Sequence, residues 1–430
     1  MSLIQGKLVD AAQTAHLLPD LQALINETLN KPPVPPETVI HACETIAATL
    51  PDEAVLPLMD GLGIGQAQAQ AHLTDLRTMF SRSYLEHRLR TELGEGYSHL
   101  KTFTPQGSAR PVEEQILPLG VLFHIAAGNM DGLPAYSVIE GLLAGNINLL
   151  KLPAVDGGLT VMLLHMLCNL APALAEYIYV FELSSKETTS MSELMTLADT
   201  VVIWGGDEAV SAVRRSVPAN TKIIEWGHKL SFAYVTPTGA TAQNLTDLAH
   251  HVCATNQLLC SSCQGVFLDT DSRVEAADFC RRFLPILDAV SKIYPDIPLA
   301  SQAQNTLQLR ARSLEQAFGD TAQIFKAHDT SLILEPDSDL TVSLQFRNLW
   351  VKTLPQDRLI TYLQPYKNHL QTAALLCGEA EWEPLRGKLW RSGVVRISGG
   401  RAMSESYCGA AHDGDYALRR YTRIVAAQRP

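Results

Sequence analysis

The chain predicts an α/β protein built on a doubly wound parallel sheet, with a second α/β domain and a helical N-terminal region. From residue 117 to about 227, short apolar runs alternate with segments of helical length and periodicity, the rhythm of repeated strand–helix units. From about 228 to 400 a second set of apolar runs follows, separated by less regular stretches. With 430 residues there is enough chain for two domains, or three.

Residues 1 to about 30 read as helical. The run Lys31-Pro32-Pro33-Val34-Pro35-Pro36 cannot continue a helix, because each proline lacks an amide hydrogen and fixes its φ, so it is a stiff connector. Residues 37–94 show apolar positions at helical intervals after a Pro36-Glu37-Thr38 start. Gly120 to Ala127 is a mainly apolar run, as expected for a strand covered on both faces. Then come a helix over Pro134–Ala144, a strand over Asn148–Leu152, a helix over Leu159–Tyr177 and a strand over Ile178–Leu183. The unit closes with a helix around Ser190–Ala198, a strand over Thr200–Trp204, a helix over Asp207–Val217 and a strand over Lys222–Glu225. In the second region, strands are predicted at Phe232–Val235, Gly265–Leu268, Ser331–Glu335 and Val394–Ile397. These patterns divide the chain into 1–227, 228–400 and a tail of 401–430, the last read as an arm suited to oligomerisation or to returning across another domain.

Composition narrows the function. A formal charge of −11 and the lack of an evident basic groove oppose nucleic-acid binding. The start of the chain lacks a basic-then-apolar secretory signal, and Leu142–Pro153 is interrupted by Asn146, Asn148 and Lys151, well short of a membrane span. The expectation is a cytoplasmic protein without a membrane span. Eight cysteines at scattered spacings read as reduced thiols, with Cys43, Cys168 and Cys280 as small buried apolar groups.

Asn256-Gln257-Leu258-Leu259-Cys260-Ser261-Ser262-Cys263-Gln264 reads as a loop carrying a nucleophilic thiol. Cys260, Cys263 and Cys253 compete for that role; a zinc site from His251, Cys253, Cys260 and Cys263 fits no familiar ligand spacing, and a plain structural loop is the remaining alternative. Glu225 ends an apolar strand before Trp226-Gly227-His228-Lys229, placing a carboxylate either at a catalytic sheet edge or simply in solvent. Asn129, in Ala127-Gly128-Asn129-Met130-Asp131-Gly132, can donate to an oxyanion or can serve as a turn residue. Gly205-Gly206, between a strand and a helix, suits either phosphate binding at a helix N-terminus or a tight turn. Lys151 ends a strand, where it can anchor a ribose or phosphate or extend its ammonium to water. The role of His412-Asp413-Gly414 stays open.

Taken with Leu117-Pro118-Leu119-Gly120-Val121, Leu150-Lys151-Leu152-Pro153 and Trp204-Gly205-Gly206, these motifs resemble the aldehyde dehydrogenase superfamily, and within it the LuxC-like fatty-acid reductases. The resemblance runs from 117 to 414 and implies an aldehyde dehydrogenase-like fold, with a Rossmann-type cofactor domain and an α/β catalytic domain. It further implies Cys260 as the acyl-accepting thiolate, Asn129 with the Cys260 backbone amide as oxyanion hole, Glu225 as general base, and Lys151 with Gly205-Gly206 against a nicotinamide cofactor. The interval from Glu225 favours Cys260 over Cys263. Asn-Gln-Leu-Leu-Cys, in place of the Gly-Gln-x-Cys of hydrolytic members, argues for the reductase branch. Ala154 stands where the family often carries an acidic residue that repels a 2′-phosphate, which favours NADPH, while Asp156 keeps NADH open.

The expected reaction is reduction of an acyl thioester, from acyl-CoA or a carrier, to an aldehyde through a Cys260 acyl-enzyme. An acyl-activating or acyl-transferring enzyme is an expected partner, and homo-oligomerisation is expected from the resemblance. The rivals are NAD(P)-dependent aldehyde oxidation, acyl-phosphate reduction, and a noncatalytic or zinc-bound partner subunit.

Overall fold

In the computed structural model the described residues are 1–61, 66–126, 132–153, 156–319 and 321–428. The chain divides into two compact units, Met1–Gly227 with Tyr407–Pro430, and His228–Ser406. Of the tail expected from 401, the residues from Tyr407 onward belong to the first unit.

The first unit opens with a hairpin, β1 (Ser2–Ile4) and β2 (Lys7–Val9), where a helix was expected. Gln5 and Gly6 both have positive φ, the two-residue turn that joins twisted antiparallel strands, and a side chain on Gly6 would crowd Ala175. Helices Ala11–Leu17 and Leu21–Leu29 follow, the first closed by a capping box between Asp10 and Gln13. After the proline connector come helices Pro36–Thr49, Asp52–Gly61, Gln66–Phe80 and Arg82–Leu93. The chain then forms β3 (Lys101–Phe103) and β4 (Val112–Pro118), neither of which the apolar pattern announced.

The central strands are β5 (Val121–Ile125), β6 (Ile147–Lys151), β7 (Ile178–Phe181), β8 (Thr200–Trp204) and β9 (Lys222–Trp226). Their order is β2-β1-β7-β6-β5-β8-β9, with β7 through β9 parallel and β1 antiparallel on β7. β5, β6 and β7 are buried on both faces, which is why they read as mainly apolar runs, with His124, Asn148 and Lys151 as the polar exceptions. The helix predicted over 159–177 breaks at Pro172, giving Leu159–Leu170 and a 3₁₀ segment, Pro172–Tyr177.

Two polar networks lie inside this core. The Trp204 indole donates to Ser137, Ser137 bonds His124 Nδ1, and His124 Nε2 bonds Asn148, joining β8, β6 and β5 to helix Leu133–Leu143. Burial holds the His124 pKa down at about 4, so the ring is neutral. Nearby in the sequence order of the same unit, the buried Arg88 guanidinium bonds Glu92, Glu140 and Tyr136, while Glu92 also accepts the Leu418 amide. This ties helix Arg82–Leu93 to helix Leu133–Leu143 and to the end of the chain.

In the second unit the strands are β10 (Leu230–Val235), β11 (Cys263–Leu268), β12 (Gln323–Lys326), β13 (Ser331–Leu334), β14 (Asn348–Thr353), β15 (Leu370–Leu376) and β16 (Arg396–Ser398). They align as β12-β13-β14-β11-β10-β15-β16, parallel except for β12. Strands β12, β14 and β15 were not foreseen, although β15 is wholly buried. Helices Ala242–Thr255 and Arg273–Ser291 pack their apolar faces on this sheet, with Leu248, Val252, Phe279 and Phe283 in the core.

The chain then returns to the first unit as β17 (Thr422–Gln428), antiparallel to β4, in a small sheet ordered β17-β4-β3.

Candidate active site

Cys260 lies in the turn between helix Ala242–Thr255 and β11. The turn is closed by the Ser262 amide on Leu259 O at 2.9 Å and by the Leu259 amide on Ser262 Oγ at 3.0 Å. Cys260 is exposed, whereas Cys253 and Cys263 are buried. Burial raises the Cys263 thiol to about 12 and that of Cys253 to about 11, and Cys263 Sγ donates to Gly265 O at 3.2 Å. Of these three thiols Cys260 is the exposed one, while burial disfavours the ionised form of Cys253 and Cys263.

Two neighbouring strands hold it. The fully buried Ser231 hydroxyl donates to Cys260 O at 2.8 Å and accepts from the Thr372 amide at 3.0 Å. Beside Thr372, the Gln371 side-chain amide donates to Cys260 Sγ at 3.2 Å. Ser231 stands at a register irregularity of β10 against both β11 and β15. Ser231 and Gln371 are both the second residue of their strands, and Cys260 precedes β11, so the thiol sits at the amino-terminal edge of this sheet. The general rule for open parallel sheets would place it at the carboxyl ends. Neither Ser231 nor Gln371 was singled out from sequence; the available signal was a glutamine inside the apolar run Leu370–Leu376.

The loop is braced from the other side. Asn256 and Gln257 have positive φ, as do Gln345, Phe346 and Arg347, each such conformation costing about 1 kcal/mol or more. The two segments interlock: Gln257 Nε2 donates to Cys263 O, Ser343 Oγ and Asn348 O, and the Phe346 amide to Asn256 O. The buried Arg347 guanidinium reaches Asn256 Oδ1, Ser291 O and Pro295 O. Gly265 leaves room for the Trp350 ring, which would overlap any β-carbon there. His251 Nε2 accepts the Cys263 amide at 3.1 Å, and burial lowers its pKa to about 4. That nitrogen is thus already bonded, and among the described residues no group of three His, Cys, Asp or Glu could hold a metal ion.

In the first unit, Glu225 lies next to the end of β9, and both its oxygens are held by the Arg214 guanidinium, from helix Asp207–Ser216. To take a proton elsewhere, the carboxylate must leave that pair. Lys151 ends β6 and is 4% exposed; burial lowers its pKa. Gly206 is the N-cap of helix Asp207–Ser216 with no side-chain cap, and the Gly205 amide donates to Trp226 O at 3.3 Å. Asp207 and Glu208 already place negative charge in that first turn, which disfavours a phosphate there. Asp156 accepts from the Gly158 amide and the Thr160 hydroxyl, just before helix Leu159–Leu170. His412 stands edge-on to the Trp204 and Trp226 rings, which stack on each other at the carboxyl ends of β8 and β9. Asn129 and Ala154 lie outside the described residues.

A Rossmann-ordered parallel sheet in one unit, and in the other a parallel sheet presenting an exposed thiol, give an aldehyde dehydrogenase-like α/β fold. The 3,6-anhydro-L-galactose dehydrogenase solved in complex with NAP shares this fold, with a TM-score of 0.71 at 15% identity over 100% of this chain and 99% of that one. The chain belongs to the acyl-CoA reductase (LuxC) family, whose model matches residues 33–424. It is 24% identical to the long-chain acyl-protein thioester reductase of Vibrio harveyi over 81% of this chain and 72% of that protein. With the corresponding reductase of Aliivibrio fischeri it shares 23% identity over 73% of this chain and 65% of the relative. The resemblance read from the motifs is borne out, and the protein is an oxidoreductase acting on acyl or aldehyde groups.

Proposed function

We propose that the protein reduces a long-chain fatty acyl thioester to the aldehyde, with Cys260 as acyl carrier and NADPH as reductant. The observation that carries this reading is the exposed Cys260 thiol, held by two neighbouring strands while the other cysteines of its loop are buried. Membership of the acyl-CoA reductase family supports the reading, because an accessible thiol is chemically suited to accept an acyl chain.

Cys260 Sγ attacks the thioester carbonyl, forming the Cys260 S–C bond, and the donor's C–S bond breaks to release its thiol with the proton from Cys260. Asn129 and the Cys260 amide are the proposed oxyanion donors, a well-placed donor being worth about 3 kcal/mol of barrier. Ser231 keeps the Cys260 backbone in place during attack. Lys151 and the Gly205-Gly206 turn are the proposed cofactor contacts; Lys151 fits through its buried ammonium at the carboxyl end of β6, whereas at the turn the bonded Gly205 amide and the acidic residues Asp207 and Glu208 suit a neutral group such as a ribose better than a phosphate. The nicotinamide, when bound, supplies hydride for release of the aldehyde. Glu225, freed from Arg214, is the proposed residue for moving the accompanying proton.

The test follows NADPH and NADH oxidation with purified protein and acyl-CoA thioesters of increasing length, with C260A and C263A as controls. The reading predicts thioester-dependent oxidation that is lost in C260A and kept in C263A. Aldehyde-dependent reduction of NAD or NADP, with no thioester consumed, would overturn it in favour of an oxidising enzyme.

A further inference from the structure

We infer that Gln371 is a positioning residue that favours the thiolate form of Cys260. This rests on the reading of Cys260 as nucleophile and adds the group that prepares it. The Gln371 amide donates to Cys260 Sγ at 3.2 Å from a site where the glutamine is only 7% exposed. An N–H donor aimed at sulfur bonds an anion more strongly than a neutral thiol, so it lowers the free energy of the ionised state. The geometry is fixed on both sides. Gln371 O accepts the Val395 amide at 3.1 Å, and Ser231 links the Thr372 amide to Cys260 O, so the donor and the sulfur are fastened to the same strand one residue apart.

β15 is a buried strand of leucine, alanine and threonine, and a glutamine there carries a desolvation cost that a small apolar residue would avoid. Facing the reactive sulfur, the amide repays that cost in the state that matters for acyl transfer. Ser231 is the contrasting case: it fixes the loop backbone and does not touch Sγ. Loss of Ser231 should slow the thiol uniformly, whereas loss of the Gln371 donor should change the pH at which it becomes reactive.

The experiment measures the rate of Cys260 carbamidomethylation by iodoacetamide against pH, read by peptide mass spectrometry on the full-length protein. Wild type, Q371M, Q371E and S231A are compared, with thermal melting as the check of folding. Methionine matches glutamine in length without a donor, so Q371M is expected to raise the midpoint by about one pH unit, roughly a tenfold loss of thiolate at a fixed pH below it. Q371E is expected to raise it further, since a carboxylate repels the thiolate. S231A is expected to lower the rate at every pH with an unchanged midpoint. An unshifted midpoint in a folded Q371M or Q371E protein overturns the inference, as does an equal shift in Q371M and S231A. Mass analysis after exposure to a long-chain acyl-CoA separates the two layers. An acyl adduct on Cys260 with no Q371M shift overturns this inference alone, whereas a shift without an adduct overturns the acyl-carrier reading.

Discussion

Replacing Arg88 by methionine should be among the most damaging single changes in the first unit, and its cost should depend on pH. The guanidinium bonds Glu92 and Glu140 and the Tyr136 hydroxyl, and Arg88, Glu92 and Glu140 are all nearly inaccessible. Removing one partner of a buried pair leaves an uncompensated charge, at a cost of about 3–5 kcal/mol. Glu92 keeps the Leu418 amide, but Glu140 loses its cation, so Glu140 carries most of the penalty. Burial already raises the Glu140 pKa, with Arg88 opposing; without Arg88 it rises further above its unfolded value. The penalty is therefore absent below the unfolded carboxylate range, near pH 4, and grows as pH increases. With a urea slope of about 3 kcal/mol/M, R88M should lower the midpoint by about 1–1.7 M at pH 8 and by clearly less at pH 5, followed by far-ultraviolet circular dichroism. A shift below about 0.3 M at pH 8, or an equal shift at both pH values, would refute the assignment of a buried ionic clamp.

Other outcomes follow from the same structure. His124 and His251 are buried and neutral with pKa near 4, so each opposes protonation in the fold; stability should be full above about pH 6.5 and fall as pH drops toward 4, and H124Q should flatten that slope in pH-dependent melting. R347A removes the cation spanning Asn256, Ser291 and Pro295 and should cost about 2–4 kcal/mol while raising the hydrogen exchange of residues 256–263, a change absent if the thiol loop stands by itself. C263A, deleting a buried thiol on Gly265 O, should cost about 1–2 kcal/mol in urea unfolding yet retain acyl transfer; loss of acyl transfer in a folded C263A protein would reverse the choice between the two thiols. K151M should raise the KM for nicotinamide with little effect on acylation of Cys260, and an unchanged KM would remove Lys151 from the cofactor site.

The parallel core of the first unit was legible because β5 through β8 are covered on both faces and leave mainly apolar runs separated by helix-length segments. The N-terminal hairpin was hidden because Leu3 and Ile4 form too short a run to show a period, and their burial depends on pairing with β7, far along the chain. Strand β15 was missed for a different reason: Leu370–Leu376 mixes glutamine and threonine into an apolar stretch that suits helix or strand equally. With that strand went Gln371, whose partner on Cys260 is set by sheet order and not by local sequence. The thiol loop itself was readable from its residues, but Cys260 and Cys263 are told apart physically only by burial. The Arg214 pairing of Glu225 was likewise invisible, since it spans a helix and a strand brought together by the fold.

The most direct test of the central claim is the intact mass of the protein after mixing with a long-chain acyl-CoA in the absence of nicotinamide, followed by peptide mapping. The account predicts a single acyl adduct on Cys260, absent in C260S and discharged as free aldehyde when NADPH is added. No adduct, or an adduct that persists in C260S, would contradict it.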